Sequence, residues 1–517
     1  MKTTDLAEAT ATSRDPRRWL ILIVLCLSTL VLVIDNMVLN VAIPQIATDL
    51  GASAQDIQWI IDSYILVFAG LLLTSGSLSD KFGRRLVMII GLALFGAASV
   101  LAAFATTPEL LIAGRVVMGI GGALIMPSTL SILITVFDED ERPKAIAAWS
   151  AVAVVGMVGG PVTGGLLLDH FWWGSVFVLN VPVVVLAIVA AMVLMPESKG
   201  PWRKPDLPGM VLSIVGMTAL VWTIIMVPTH GFTDSGTLTA GAIAVICLAG
   251  FVIRELTTDS PMVPLGLFGN RVFTGSSFSL VLLTFANGGL LLALTQYLQF
   301  VLDYTPTETA FAFTPMAVAV LAFNGLGATL ASKVGNRSIT AVGLTVTAAG
   351  FGLLTLLEPT SSFWLPALAM AVMGSGFGLA MPATIGALMG AVPGEHAGVG
   401  SALNDTIQQA GAALGVAVLG AVLSTTYSDA MPADAPESGR ESISDALAIS
   451  TATGDTGLAA AARDAFTSGM STTFIVAACS VLCAAALSLI LLRERKSDTD
   501  ADVLDSDESA EVLAESR

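Results

Sequence analysis

The chain has 517 residues, of which 55% are hydrophobic and only 12% charged, with a mean hydropathy of +0.82. Soluble domains carry about 25% charged residues, so this composition excludes a soluble globular fold and implies a polytopic membrane protein. The net charge of −17 does not describe one surface: eight acids lie in residues 498–515 and seven in residues 429–464.

Taken in chain order, apolar segments fall near 19–43, 57–76, 86–105, 109–133, 145–167, 173–195, 207–227, 237–254, 272–301, 309–331, 338–357, 363–389, 399–424 and 469–492. At about 1.5 Å per residue, roughly 20 apolar residues cross the ~30 Å hydrocarbon core. Segments that are apolar all round are helices in lipid, because only helices and closed barrels satisfy their backbone there. The first run is too long for a signal-peptide core and has no small-residue cleavage site after it, so it reads as a retained helix.

With the N-terminus in the cytoplasm, 20 of the 23 basic residues fall on the cytoplasmic side. Arg115 is intramembrane, and Arg440 and Arg463 lie outside in the long 425–466 loop. That asymmetry predicts fourteen spans with both termini inside. Residues 1–18 are then a cytoplasmic N-terminal segment, and the acidic tail from 497 to 517 has the composition of a disordered one. Loop 425–466 is expected to form a short hairpin or helices near the exit.

Residues 118–129 match 373–384 at seven of twelve positions, an offset of 255. Gly156 and Gly160 fall on Gly411 and Gly415 at that offset, and residues 81–85 fall on 333–337 at an offset of 252. Two homologous halves follow, as in transporters built from repeats. Residues 19–195 form one six-helix bundle and 272–492 the other, with an inserted pair at 207–254.

Three carboxylates interrupt the apolar runs: Asp35, Asp62 and Asp405. A charge in hydrocarbon costs several kcal/mol or more, so such residues point to proton handling or cation binding. Arg115 has the same difficulty and needs a partner or a route for snorkelling to the interface. Gly76, Asp80, Gly83, Arg84 and Arg85 lie in the turn between segments 2 and 3, a place for an ion-pair latch with Gly83 permitting the turn. In segment 5, Gly156, Gly160 and Gly164 recur every four residues on one face, where a neighbouring helix can approach to backbone distance, and Pro161 favours a kink. Polar or aromatic cavity lining is expected from Asn36, Tyr64, Phe285, Asn287, Gln296, Asn324, Asn404 and Gln408, and the residue types of Met373 and Met381 fit the same use. At the 252 offset Asn287 falls on Asp35, so the second half lacks that acid.

Together these motifs resemble the major facilitator superfamily, and within it the fourteen-helix drug:proton antiporter family of quaternary-ammonium and multidrug exporters. The resemblance covers about residues 17–495. Met37 departs from it, since that branch usually carries threonine there. Relatives often have a basic residue at or near Gln408, and its absence here favours cationic cargo. The resemblance implies two bundles around a central cavity, alternating access and proton-driven export. It links Asp35 and Asp62 to coupling or cation recognition and Arg115 to proton transfer.

The expectation is therefore a secondary transporter of the bacterial cytoplasmic membrane. It exchanges protons for small lipophilic, cationic drugs or dyes, works as a monomer, and needs no cofactor beyond the proton gradient. A dedicated exporter of one natural product is the alternative, and a non-transporting membrane sensor a more distant one. No nucleophile–base set, phosphate loop or metal-ligand spacing points to an enzyme, no basic cluster points to nucleic acid, and the four cysteines lie in apolar segments.

Overall fold

The computed structural model describes residues 16–200, 206–230, 234–258 and 261–492. The acidic tail and most of the N-terminal segment lie outside the described residues.

Among the described residues, fourteen long helices carry the fold. They are α1 Arg18–Leu50, α2 Ala54–Phe82, α3 Arg84–Ala103, α4 Pro108–Val136, α5 Arg142–His170, α6 Asn180–Leu194, α7 Leu207–His230 and α8 Ser235–Thr257. They continue with α9 Arg271–Gln296, α10 Thr314–Val334, α11 Asn336–Leu354, α12 Trp364–Gly390, α13 Ala397–Ala430 and α14 Thr456–Leu491. Among the described residues, thirteen helical stretches are long and apolar enough to cross a membrane. The remaining long helix, α5, has 29 residues, about 43 Å at the standard rise. Helix ends follow local chemistry: Ser53 and Asp56 form a reciprocal capping box at the start of α2, and Gly51 closes α1 in the left-handed region.

The ends of α13 and α14 differ from the expected segments. α13 runs on to Ala430 and α14 begins at Thr456, so the link between them is shorter than 425–466. It holds two short helices, Glu437–Glu441 and Ile443–Thr453. Tyr427 donates from its hydroxyl to the Gly439 carbonyl at 2.8 Å and pins this cap to α13.

The sequence repeat reappears as repeated packing. A methyl group on Gly121 of α4 would strike Gly91 and Phe95 of α3, and one on Gly376 of α12 would strike Gly343 and Thr347 of α11. Those partners stand 252 residues apart, as the repeat requires. Gly83 and Gly335, which end α2 and α10, both have positive φ, +122° and +90°. The α3–α4 contact of the first half is thus repeated by the α11–α12 contact of the second.

The halves meet mainly at one face, which is rich in basic residues. There the apolar core of the first half continues into Ile385, Leu388 and Met389 of α12 and Val399, Ala402 and Leu403 of α13. Across the seam α2 and α4 pack on α13, and α5 packs on α10 and α12. The inserted helix α7 lies against both α2 and α13, with Trp222 4.8 Å from Trp59 between ring centroids. Arg254 of α8 donates to Asp206 just before α7, at 3.1 and 3.2 Å, tying the base of the inserted pair.

Candidate functional site

The glycine stripe of α5 decides where α1 lies. A Cβ on Gly156 would sit 2.6 Å from Val33, one on Gly160 would strike Met37, and one on Gly164 would crowd Val38 and Val41. The contacts advance together along both helices, so α1 and α5 run parallel at backbone distance. Met37 therefore fills the groove over Gly160 and has no polar work to do. Pro161 lies within α5. Val33 and Met37 face α5, and Asp35 is turned to another side of α1.

That side holds the first buried charge. Asp35 is 2% exposed and Arg115 of α4 is fully buried. Arg115 Nη1 donates to Asp35 Oδ2 at 2.5 Å. The guanidinium also donates through Nε to the Ile60 carbonyl at 3.2 Å and through Nη2 to Asn36 Oδ1 at 3.4 Å. Its plane lies over the Tyr64 ring, 4.3 Å from the centroid, an arrangement worth about 2 kcal/mol when desolvated. Arg115 is thus paired, and it does not snorkel to an interface. Tyr64, expected as cavity lining, is instead buried between Arg115 and Phe68.

Sequence reasoning missed the other partner of Asp35. Asn180, at the start of α6, donates from Nδ2 to Asp35 Oδ1 at 2.8 Å and to Ser99 Oγ of α3 at 3.3 Å. A lone asparagine inside the apolar run 173–195 was the available signal.

The remaining carboxylates stand apart. Asp62 of α2 is half-buried, with the Gln58 side chain bonded to it. Asp405 of α13 is 3% exposed and accepts from Asn404 Nδ2 at 3.0 Å. Its other oxygen, Asn404 Oδ1, Ser401 Oγ and Thr406 Oγ1 have no hydrogen-bond partner. No cation pairs with Asp405 among the described residues. Phe285, Asn287 and Gln296 of α9 and Gln408 of α13 are half-buried. Asn324 of α10 is buried with Oδ1 unpartnered. Met373 packs against Gly350 inside the second half, so it belongs to the α11–α12 core and not to a cavity wall.

The latch expected in the turn after α2 exists, and its main partner is the other half. Asp80 accepts from the Gly398 and Val399 backbone nitrogens at 2.9 and 3.0 Å, so a carboxylate of the first half caps the N-terminus of α13. Arg84 donates to Asp80 Oδ1 at 3.0 and 2.8 Å and to the Gly394 carbonyl at 2.9 Å. Gly76 is needed beside it, since a Cβ there would lie 2.5 Å from Ala402 and from the Gly398 carbonyl. Glu197, also missed from sequence, accepts from the Arg85 and Leu86 nitrogens at 3.0 and 3.2 Å and caps α3. The Arg85 side chain donates to the Met195 carbonyl at 2.8 Å. The two halves are locked at the basic face.

Among the described residues, two repeated six-helix halves with an inserted pair, a buried charge pair within one half and a latch between the halves define a multi-pass membrane transporter. The chain belongs to the Major Facilitator Superfamily, whose family model matches residues 25–416. It is 35% identical over 496 residues to the multidrug efflux pump LfrA of Mycolicibacterium smegmatis, covering 93% of this chain and 98% of that one. It is 32% identical to the tetracenomycin C resistance and export protein of Streptomyces glaucescens, covering 96% and 95%. With the methyl viologen resistance protein SmvA of Salmonella typhimurium it shares 34% identity, over 80% of this chain and 84% of the other. Among solved structures, the human organic anion transporter MFSD10 superposes with a TM-score of 0.61 at 14% identity, covering 92% of this chain and all of that one. The proton:xylose symporter XylE gives 0.59 at 14% identity, covering 92% and 96%. At that identity these two speak for the fold alone.

Proposed function

We propose that the protein is a proton-coupled efflux antiporter, exporting hydrophobic, cationic drugs or dyes by alternating access across a bacterial cytoplasmic membrane. The basic face is the cytoplasmic one by the positive-inside rule, which puts both termini in the cytoplasm and makes the locked state one closed to the inside. The observation that carries the reading is the Asp35–Arg115 pair. It is an acid–base couple sealed from water, and Arg115 keeps the Ile60 carbonyl, Asn36 and the Tyr64 ring when the carboxylate changes state.

The cycle follows from charge. A proton reaching Asp35 from outside neutralises it and weakens its hold on Arg115. On the other half, Asp405 offers a buried carboxylate without a cation, beside three further unpartnered polar atoms. A lipophilic cation entering from the inner leaflet would supply the counter-charge that Asp405 lacks, and its apolar body would keep the site dry. Proton and drug occupying mutually exclusive states of one carrier are enough for exchange. Each net charge moved gains about 2.3 kcal/mol per 100 mV. Asp62, on the outer half of α2, is assigned to coupling or cation recognition by the family resemblance alone. A multidrug efflux pump among the relatives supports the broad-substrate form of this reading. The protein acts as a monomer and draws on the proton gradient without a cofactor.

The test is reconstitution in vesicles with an imposed pH gradient, following ethidium or tetraphenylphosphonium together with an internal pH dye. Drug-induced proton flux is expected. Silence across several cations, with flux restored by one neutral antibiotic, would favour a dedicated exporter instead.

A further inference from the structure

Two protonation states of one buried carboxyl group make opposite demands. Ionised, it can only accept hydrogen bonds; protonated, it must also donate one. A site that meets only the first demand holds the proton poorly, because a buried hydroxyl without an acceptor is unfavourable.

The partners of Asp35 can be sorted by this rule. Arg115 has five donors and no acceptor, so it serves only the ionised state. Among the described residues, Asn180 is the only other side chain bonded to the carboxylate. Its amide carries both kinds of group, and the one not in use is distinctive: Oδ1 is buried and has no partner, in a residue that is fully buried. Nδ2 faces the carboxylate and Ser99. The last torsion of asparagine is broad and nearly two-fold, so half a turn exchanges Nδ2 for Oδ1 opposite Asp35.

We infer that Asn180 is a positioning residue for proton exchange at Asp35, donating to the ionised carboxylate and, turned over, accepting from the protonated one. This rests on the antiport reading above. The step moves one proton from water to Asp35 Oδ1 and makes no other bond but the exchanged hydrogen bond. The groups around Asp35 leave few rivals. α4 presents Arg115, α2 presents Tyr64, α3 presents the neutral Ser99, and α5 offers glycines to the far side of α1. Ser99 already donates to the Phe95 carbonyl at 2.8 Å. Because α6 carries Asn180, proton exchange also gives that helix a share in coupling that its apolar sequence conceals.

The experiment compares three proteins in vesicles with ethidium as the probe: wild type, Asn180→Leu and Asn180→Asp. Leucine keeps the volume and removes both hydrogen-bonding functions. It is expected to lower pH-gradient-driven efflux and ethidium-induced proton flux by roughly tenfold or more. Ethidium–ethidium exchange, which moves no net proton, should stay within about twofold. Aspartate keeps the shape and an acceptor, and should restore driven efflux with the midpoint of its pH profile displaced by about one unit or more. The inference is overturned if Asn180→Leu keeps wild-type driven efflux and an unchanged pH profile. It is also overturned if exchange and driven efflux fall equally while Asn180→Asp restores both at the wild-type midpoint. Should the leucine variant not assemble, the midpoint of Asn180→Asp decides alone. Absence of ethidium-induced proton flux in the wild type defeats the antiport reading and this inference together, whereas flux in the wild type unaltered in Asn180→Leu defeats only the inference.

Discussion

Truncating Arg115 to alanine tests whether the sealed charge pair holds the first half together. The side chains of Arg115 and Asp35 are 0% and 1% exposed, so the loss strands a carboxylate in a dry site. Breaking a buried pair in this way costs about 3–5 kcal/mol. The stranded acid has one escape, which is to take a proton from solution. For an ordinary aspartate of pKa about 3.9 that step costs about 4.2 kcal/mol at pH 7, and about 1.4 less for each unit of acidification. Arg115→Ala should then lose about 4–5 kcal/mol at pH 7.5 and about 3 kcal/mol less at pH 5.5. The sign follows from proton binding: the folded variant holds a proton that its unfolded chain lacks, so stability falls as pH rises. Asp35→Asn strands a guanidinium that cannot deprotonate. It keeps the Ile60 carbonyl, Asn36 and the Tyr64 ring, so its loss should be smaller, about 1–3 kcal/mol, and equal at both pH values. Thermal unfolding in detergent at pH 5.5 and 7.5 measures all of this. Equal melting of wild type and Arg115→Ala at both pH values, or the same pH dependence for Asp35→Asn, would refute the reasoning.

Asp80→Asn should loosen the latch, because an amide cannot accept from Arg84, Gly398 and Val399 together. A loss of about 1–2 kcal/mol corresponds to roughly 5–30-fold more opening at the basic face, read as labelling of Ala402→Cys by an impermeant thiol reagent in a background without native cysteines; unchanged labelling would count against the latch. Gly160→Val should separate α1 from α5 and abolish efflux, and Met37→Gly should partly rescue it where Met37→Ala does not, since the added side chain meets the Met37 Cβ first; equal rescue by both, or by neither, would place the clash elsewhere. Asp405→Asn should leave melting within about 1 kcal/mol of wild type, because no cation is stranded, while lowering efflux of ethidium at least about tenfold; wild-type efflux would remove Asp405 from the site. Arg463→Ala breaks an ion pair with Asp303 whose side chains are 32% and 68% exposed, so its effect on stability should stay below about 1 kcal/mol, measured by the same melting assay.

The architecture was largely legible in the sequence because a membrane imposes its own period. Runs of roughly 20 apolar residues have one outcome in lipid, and the repeated glycines carried the two-fold plan into packing, as Gly121 on α3 and Gly376 on α11 attest. Helix ends outside the bilayer were harder to read: the only marks of α14 starting at Thr456 are local ones, Gly454 closing the preceding helix and Asp455 capping the next through the Gly457 and Leu458 nitrogens. The site was legible charge by charge. Asp35 and Arg115 each declared themselves as costly in hydrocarbon, but 80 residues separate them, and their union depends on how closely α5 lets α1 approach. Asn180 and Glu197 stayed hidden because a single amide in an apolar run, or a single acid in a loop, has many uses until its neighbours are placed.

One helix connects the parts that sequence reading kept separate. α2 offers the Ile60 carbonyl and the Tyr64 ring to Arg115, then packs Gly76 on α13, and ends with Asp80 on the α13 terminus. Tyr64 and Asp80 are 16 residues apart in one unbroken helix, about 24 Å. Ser128 of α4 donates to Ser79 at 3.2 Å beside the latch, so α2 and α4 are joined at the charge pair and again at the gate. Trp149 of α5 donates to Thr29 of α1 and Thr129 of α4 at 3.0 and 3.2 Å, which binds the rest of the first half to them. In the alternating access proposed above, a bundle tied at both levels would turn as one body. The contacts it must give up in turning are those of Asp80 and Arg84 with the second half, while those around Arg115 travel with it. On the antiport reading proposed above, neutralising Asp35 would loosen α1 from Arg115 of α4 and so shift α4 and α2, and the contacts of Asp80 and Arg84 would set how far that shift must go before the inside opens.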